Sequence, residues 1–147
     1  MKRFALLLFV SMTLFGSSSC KKETGPADLL GDWQWVASTG GFTGKQVYTP
    51  ASTNTARTLS FSRDSLFVQC DNGRCTVPTK FTSRLERSYI TGEQTLILTL
   101  RRRIYLALPD TGFHTILDRY SLQEVSPSTL RLVQDGPDGF EETYARK

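Results

Sequence analysis

The side chains that could do chemistry in this 147-residue sequence are three cysteines, one histidine and an arginine set among leucines. Cys70 and Cys75 bracket Asp71-Asn72-Gly73-Arg74, and Asn-Gly is a preferred centre for a two-residue type I′ hairpin turn. In that geometry Asp71 and Arg74 form the hydrogen-bonded pair. The cysteines then form the next, non-hydrogen-bonded pair, about 4.5 Å apart at Cα and within disulfide reach. A metal site is the alternative for two cysteines, but it needs two further ligands, and His114 is the single histidine. The nearest acid on the same strand face as His114 is Asp118, roughly 13 Å along an extended chain, too far for a local dyad. No nucleophile elbow, phosphate loop, zinc-protease or dinucleotide motif occurs. The expectation is a protein that is not an enzyme and takes no cofactor or metal.

Arg102 is the more informative position. Residues 94–108 alternate so that Leu96, Leu98, Leu100, Ile104, Leu106 and Leu108 share one face, and Arg102 falls among them. A guanidinium there is costly unless it meets an anion. Inside a barrel with room for one small ligand it would suit a carboxylate head group. The alternative is that the chain bulges or turns at Arg101-Arg102-Arg103, with all three in water or paired with acids. Trp33, Trp35, Phe61, Leu98, Leu100 and Tyr120 are the other candidate lining residues, although inward aromatics more often fill a core than wall a pocket.

These positions require a closed, strand-rich frame, and the chain reads as one. The stretch 31–39 alternates, with Trp33, Trp35 and the small Ala37 on one side and Asp32, Gln34 and Val36 on the other. Residues 40–56 show no alternation and read as a long loop, either a surface excursion or a lid carrying Phe42 and Tyr48. Further strands are predicted over 58–62, 65–70, 76–82, 85–90, 94–108, 113–125, 129–134 and 140–146, with Pro78 marking an edge or bulge. Asp and Gly in 135–142 lack calcium-loop spacing and read as a solvated hairpin. The fold class is therefore all-β: eight or nine antiparallel strands, which in this number commonly close into an up-and-down barrel without exposed edges.

The first residues carry an address. Lys2 and Arg3 precede an apolar run over 4–15, too short to span a bilayer, and then Gly16-Ser17-Ser18-Ser19-Cys20. Ser18-Ser19-Cys20 resembles the lipobox of bacterial lipoproteins, which implies cleavage before Cys20 and attachment of diacylglycerol to it. An ordinary secretory signal is the alternative. Lipidation of Cys20 would also consume the odd thiol and leave Cys70 and Cys75 as a pair. Domain boundaries follow: a signal peptide over 1–19, a lipidated cysteine and polar tether over 20–28, and one domain over 29–147. Lys21 is not the aspartate that resembles an inner-membrane retention signal, so the expected place is the outer membrane of a bacterial envelope. Losing Lys2 and Arg3 with the leader lowers the net charge from +4 to +2. That is too small and scattered for nucleic acid.

Gly31-Asp32-Trp33 heading the first strand, with a long first loop after it, resembles the G-x-W signature of lipocalins. Together with Arg57-Thr58-Leu59-Ser60-Phe61, Ser128-Thr129-Leu130-Arg131-Leu132 and the ending 140–146, it is similar to small lipocalin-like lipoproteins of Gram-negative bacteria. The resemblance implies an eight-stranded barrel in which an arginine of the last strand, here Arg146, packs on Trp33. It also implies a monomer with a membrane anchor, and a small hydrophobic or amphipathic ligand; Arg102 among leucines resembles fatty-acid-binding relatives. The alternative is a non-enzymatic interaction module, of the envelope lysozyme- or protease-inhibitor type, acting on an envelope protein through exposed loops around a filled barrel.

Overall fold

Alternating segments such as Arg57-Thr58-Leu59-Ser60-Phe61 put every second side chain on one face, and this face closes around a single core. The computed structural model describes residues 26–106 and 112–147; the leader, Cys20, residues 21–25 of the tether and most of the turn at Pro109 lie outside the described residues. The barrel strands are β1 (Gly31–Gly40), β3 (Arg57–Phe61), β4 (Leu66–Asp71), β6 (Thr79–Arg87), β7 (Gln94–Leu106), β8 (Gly112–Val125), β9 (Thr129–Gln134) and β10 (Phe140–Arg146). Each pairs antiparallel with the next, and β10 returns to β1, so the eight strands form a closed up-and-down barrel. Two short strands extend it: β2 (Gln46–Tyr48) on β1 and β5 (Arg74–Cys75) on β4. Two four-residue helices, α1 (Pro26–Leu29) and α2 (Pro50–Thr53), complete the described chain.

The core is apolar and aromatic, built from Trp33, Trp35, Leu59, Phe61, Phe67, Phe81, Leu98, Leu100, Tyr120, Leu130, Leu132 and Tyr144. Trp33 is fully buried at the closed end, where its indole Nε1 donates to the Leu29 carbonyl at 2.8 Å. The Arg146 guanidinium lies 4.1 Å from the Trp33 ring centre. Gly31 has φ +119, which strains any L side chain, and a Cβ there would stand 2.7 Å from Arg146 Nη1 and displace the end of that side chain from its place beside Trp33.

Three details depart from the sequence expectation. In β1 the pairing with β10 shifts at Val36, so Ser38 rather than Ala37 turns inward, and it accepts a hydrogen bond from Trp35 Nε1 at 2.9 Å. The strands predicted over 76–82 and 85–90 are one strand, β6, because pairing with β7 runs without interruption from Phe81↔Leu100 to Arg87↔Gln94. The segment 40–56 is not all loop. It contains β2 and α2, the latter capped by reciprocal bonds between Thr49 and Ser52 and ended by Asn54 in the left-handed region.

At the cysteine hairpin, Asn72 and Gly73 both have positive φ, 50° and 80°, as a type I′ turn requires. Cys70 pairs with Cys75 and Asp71 with Arg74. The sulfurs are at bonding distance and the Cα atoms 3.9 Å apart, a little closer than expected. Asn72 also accepts from the Ala56 N–H and donates to the Asn54 carbonyl, tying this turn to the end of α2.

Candidate functional site: a polar chamber above the apolar core

The same inward face changes character along each strand. On β3 it runs from Phe61 and Leu59 to Arg57, on β4 from Phe67 to Gln69 and Asp71, on β7 from Leu98 and Leu100 to Arg102. On β8 it presents Tyr120 and Asp118, and on β10 Tyr144 and Glu142. The closed end of the barrel is therefore dry and packed, and the other end is polar.

There is no bulge at Arg102. The β7–β8 ladder is regular, with Leu100↔Asp118 and Arg102↔Ile116, and the guanidinium turns into the barrel. Arg102 Nε donates to Asp118 Oδ2, and Nη1 donates to Gln69 Oε1 at 3.4 Å. Burial opposes the charge of Arg102, but the hydrogen bond and carboxylate of Asp118 outweigh it and raise the guanidinium above its ordinary value. The anion that an inward arginine requires is thus supplied by the protein itself.

A cavity of about 220 Å³ lies against Gln69, Leu100, Arg102, Tyr120, Gln134 and Glu142. A second, of about 210 Å³, lies nearer the mouth against Trp35, Ser38, Tyr48 and Phe140. Both are bounded by Arg57 and Glu142, whose side chains approach to 3.7 Å and form the partition between them. Arg57 is held to Asp71 at 2.9 Å and lies 5.4 Å from the Trp35 ring centre. Burial works against its charge too, and the Asp71 hydrogen bond reverses the balance. Glu142 accepts the Tyr144 hydroxyl at 2.7 Å. Burial, reinforced by the Glu142 carboxylate, pushes Tyr144 well above the usual phenol value. Burial pushes Tyr120 up as well. Among the described residues nothing hydrogen-bonds the Tyr120 hydroxyl, and Tyr120 lines the inner cavity.

Of the residues singled out in the sequence, Leu100, Arg102 and Tyr120 line the inner cavity, and Trp35 and Tyr48 line the outer one. Tyr48 packs on Phe140 with ring centres 5.8 Å apart. Trp33, Phe61 and Leu98 belong to the sealed core and line neither cavity. Phe42 stands 90% exposed in the β1–β2 connection and covers neither. The side chains of Ile104, Leu106 and His114 and all of Leu108 lie outside the described residues. Arg57, Gln69 and Glu142 were missed. Arg57 carried a usable signal, being in phase with Leu59 and Phe61 as Arg102 is with Leu98 and Leu100. The stretch 135–142 is not simply solvated: Glu142 faces the cavities, and Asp135, 7% exposed, accepts from Ser88 Oγ and the Tyr89 N–H, each at 2.8 Å.

No protein-family model, no curated protein and no solved structure matches this chain.

Proposed function

We propose that this is a lipid-anchored protein of the bacterial envelope whose lipocalin-like barrel binds a small amphipathic ligand and carries out no catalysis. The observation that carries the reading is the unfilled polar end of the barrel, where Arg102 and the free Tyr120 hydroxyl border a cavity of about 220 Å³. A ligand spanning both cavities would part Arg57 from Glu142, direct its polar group to Gln69, Arg102 and Tyr120 and lay an aromatic or short aliphatic body between Trp35, Tyr48 and Phe140. Two arginines, Arg57 and Arg102, face three carboxylates, Asp71, Asp118 and Glu142. This balance favours a neutral polar or weakly acidic head over a strongly anionic one. Cys20 would be the lipidated residue. Support comes from the leader and from the chain reaching the barrel at Pro26, at the Arg146 end and opposite the cavities, so that an anchor at Cys20 would leave the mouth facing away from the membrane.

The test is a titration with 6-propionyl-2-(dimethylamino)naphthalene, a neutral fluorescent aromatic probe whose carbonyl can accept a hydrogen bond from Arg102. One saturable site is expected, weakened roughly tenfold or more in Arg102→Ala by loss of a charge-assisted hydrogen bond. Unsaturable fluorescence, or identical titrations for the two proteins, contradicts the reading. The exposed Phe42 favours a second reading, an inhibitor-type module anchored on a partner through this aromatic. Capture of an envelope protein that is lost in Phe42→Ala, with no probe bound inside, would support it.

A further inference from the structure

A closed barrel removes its edges, yet part of β6 keeps one. β4 pairs with β6 only at Leu66↔Lys80 and Phe67↔Thr79, followed by the Phe81 N–H to the Ser65 carbonyl at 3.0 Å. Beyond Phe81, β6 continues to Arg87 with β7 on one side and no strand on the other among the described residues. The Ser88 N–H bonds the Glu93 carbonyl in the β7 direction. In an antiparallel ladder the main-chain groups point alternately to the two sides. The N–H and C=O of Ser83, Leu85 and Arg87 therefore point to the vacant side, as those of Phe81 do.

A groove of about 520 Å³ runs along this edge, bordered by Leu30, Arg63, Phe81, Ser83 and Arg84. Leu85 shares the inward side of β6 with Phe81 and is 66% exposed. Among the described residues no ion pair engages Arg63, Arg84 or Arg87, whereas Glu86, the acid on this strand, is held by Arg119 at 2.8 Å. The free charge at the edge is therefore positive.

We propose that the β6 edge is a docking site for an extended peptide segment of another protein, with acidic and apolar residues in alternation, which adds to the sheet as a strand. Its main chain would pair with Ser83, Leu85 and Arg87. Its apolar side chains would lie on Leu85 and Phe81, and its acids beside Arg63 and Arg84. Charge argues against the other occupants. The protein's own Lys21-Lys22-Glu23 is net basic, and a second copy would set arginines against arginines.

The test uses the full-length protein in detergent and labelled peptides of alternating valine with glutamate or valine with lysine. The glutamate peptide is expected to bind one to one and the lysine peptide not to bind. Leu85→Pro removes an edge donor while sparing the β7 ladder, a placement proline tolerates. It should weaken binding roughly tenfold. Arg84→Glu should do the same and decides the matter if the proline variant does not fold. Slowed amide exchange at Ser83, Leu85 and Arg87 on binding would be the direct signature. Equal binding of both peptides, undiminished binding by both variants, or self-association through this edge would overturn the proposal. So would binding of the protein to anionic phospholipid vesicles that depends on Arg84 and not on the Leu85 N–H, with no peptide bound.

Discussion

Arg146 covers the Trp33 indole at 4.1 Å and, with the same guanidinium, donates to the carbonyls of Asp28, Leu30 and Pro127, each at 2.8 Å. The last strand thereby fastens the start of the first, the helical turn before it and the β8–β9 connection. Arg146→Ala should destabilise the barrel by about 2 kcal/mol, less than the sum of its bonds because the guanidinium is partly in water. Arg146→Lys should recover only part of this, since one ammonium cannot reach three carbonyls in a fork. Urea unfolding of the three proteins checks the order.

The disulfide spans a hairpin whose turn is already specified by Asn72-Gly73. Replacing both Cys70 and Cys75 by Ser should cost about 2 kcal/mol, the chain-entropy value for so small a loop, and leave the barrel folded. Far-ultraviolet circular dichroism should be unchanged while the urea midpoint falls. Collapse of the fold would show that the hairpin supports more than its own register.

Burial holds the Tyr144 phenol well above its usual value, with the Glu142 carboxylate adding to the effect, and Tyr120 is raised for the same main reason. Above pH 10 the unfolded chain loses these protons while the folded chain keeps them, so stability should be full below that pH and fall as pH rises further. Phenolate absorbance from these two tyrosines should appear only with alkaline unfolding. Tyr144→Phe should make the alkaline limb shallower.

Asp118 neutralises Arg102 inside the chamber. Asp118→Asn should therefore free the guanidinium, and a small aromatic carboxylate should bind roughly tenfold tighter. The double variant Asp118→Asn, Arg102→Ala should lose that gain. Calorimetric titration of the three proteins separates this from a general loosening of the barrel.

Much of the fold was legible where the signal is local. Asn72-Gly73 names its own turn, β9 alternates cleanly, and Gly31-Asp32-Trp33 with Arg146 points to a closed barrel end. The shift at Val36 was not legible, because neither glycine nor proline marks it; it follows from fitting β1 to β10 while burying Ser38. The phase among leucines offers an inward side for Arg102, but a bulge at Arg101-Arg102-Arg103 fits the sequence as well, and the regular β7–β8 ladder decides between them. The partner of Arg102 could not be read, because Asp118 becomes a neighbour only through the β7–β8 register. Asp135 was read as solvated for the same reason: Ser88, Tyr89 and Arg119 come from other strands and turns.

The central claim is that the polar chamber holds a small molecule. Native mass spectrometry of the protein purified from the cells that make it tests it most directly. The account predicts a discrete bound mass that disappears in Arg102→Ala, with the fold intact by circular dichroism. A chain with no small molecule bound, or a bound mass that survives Arg102→Ala unchanged, would contradict it.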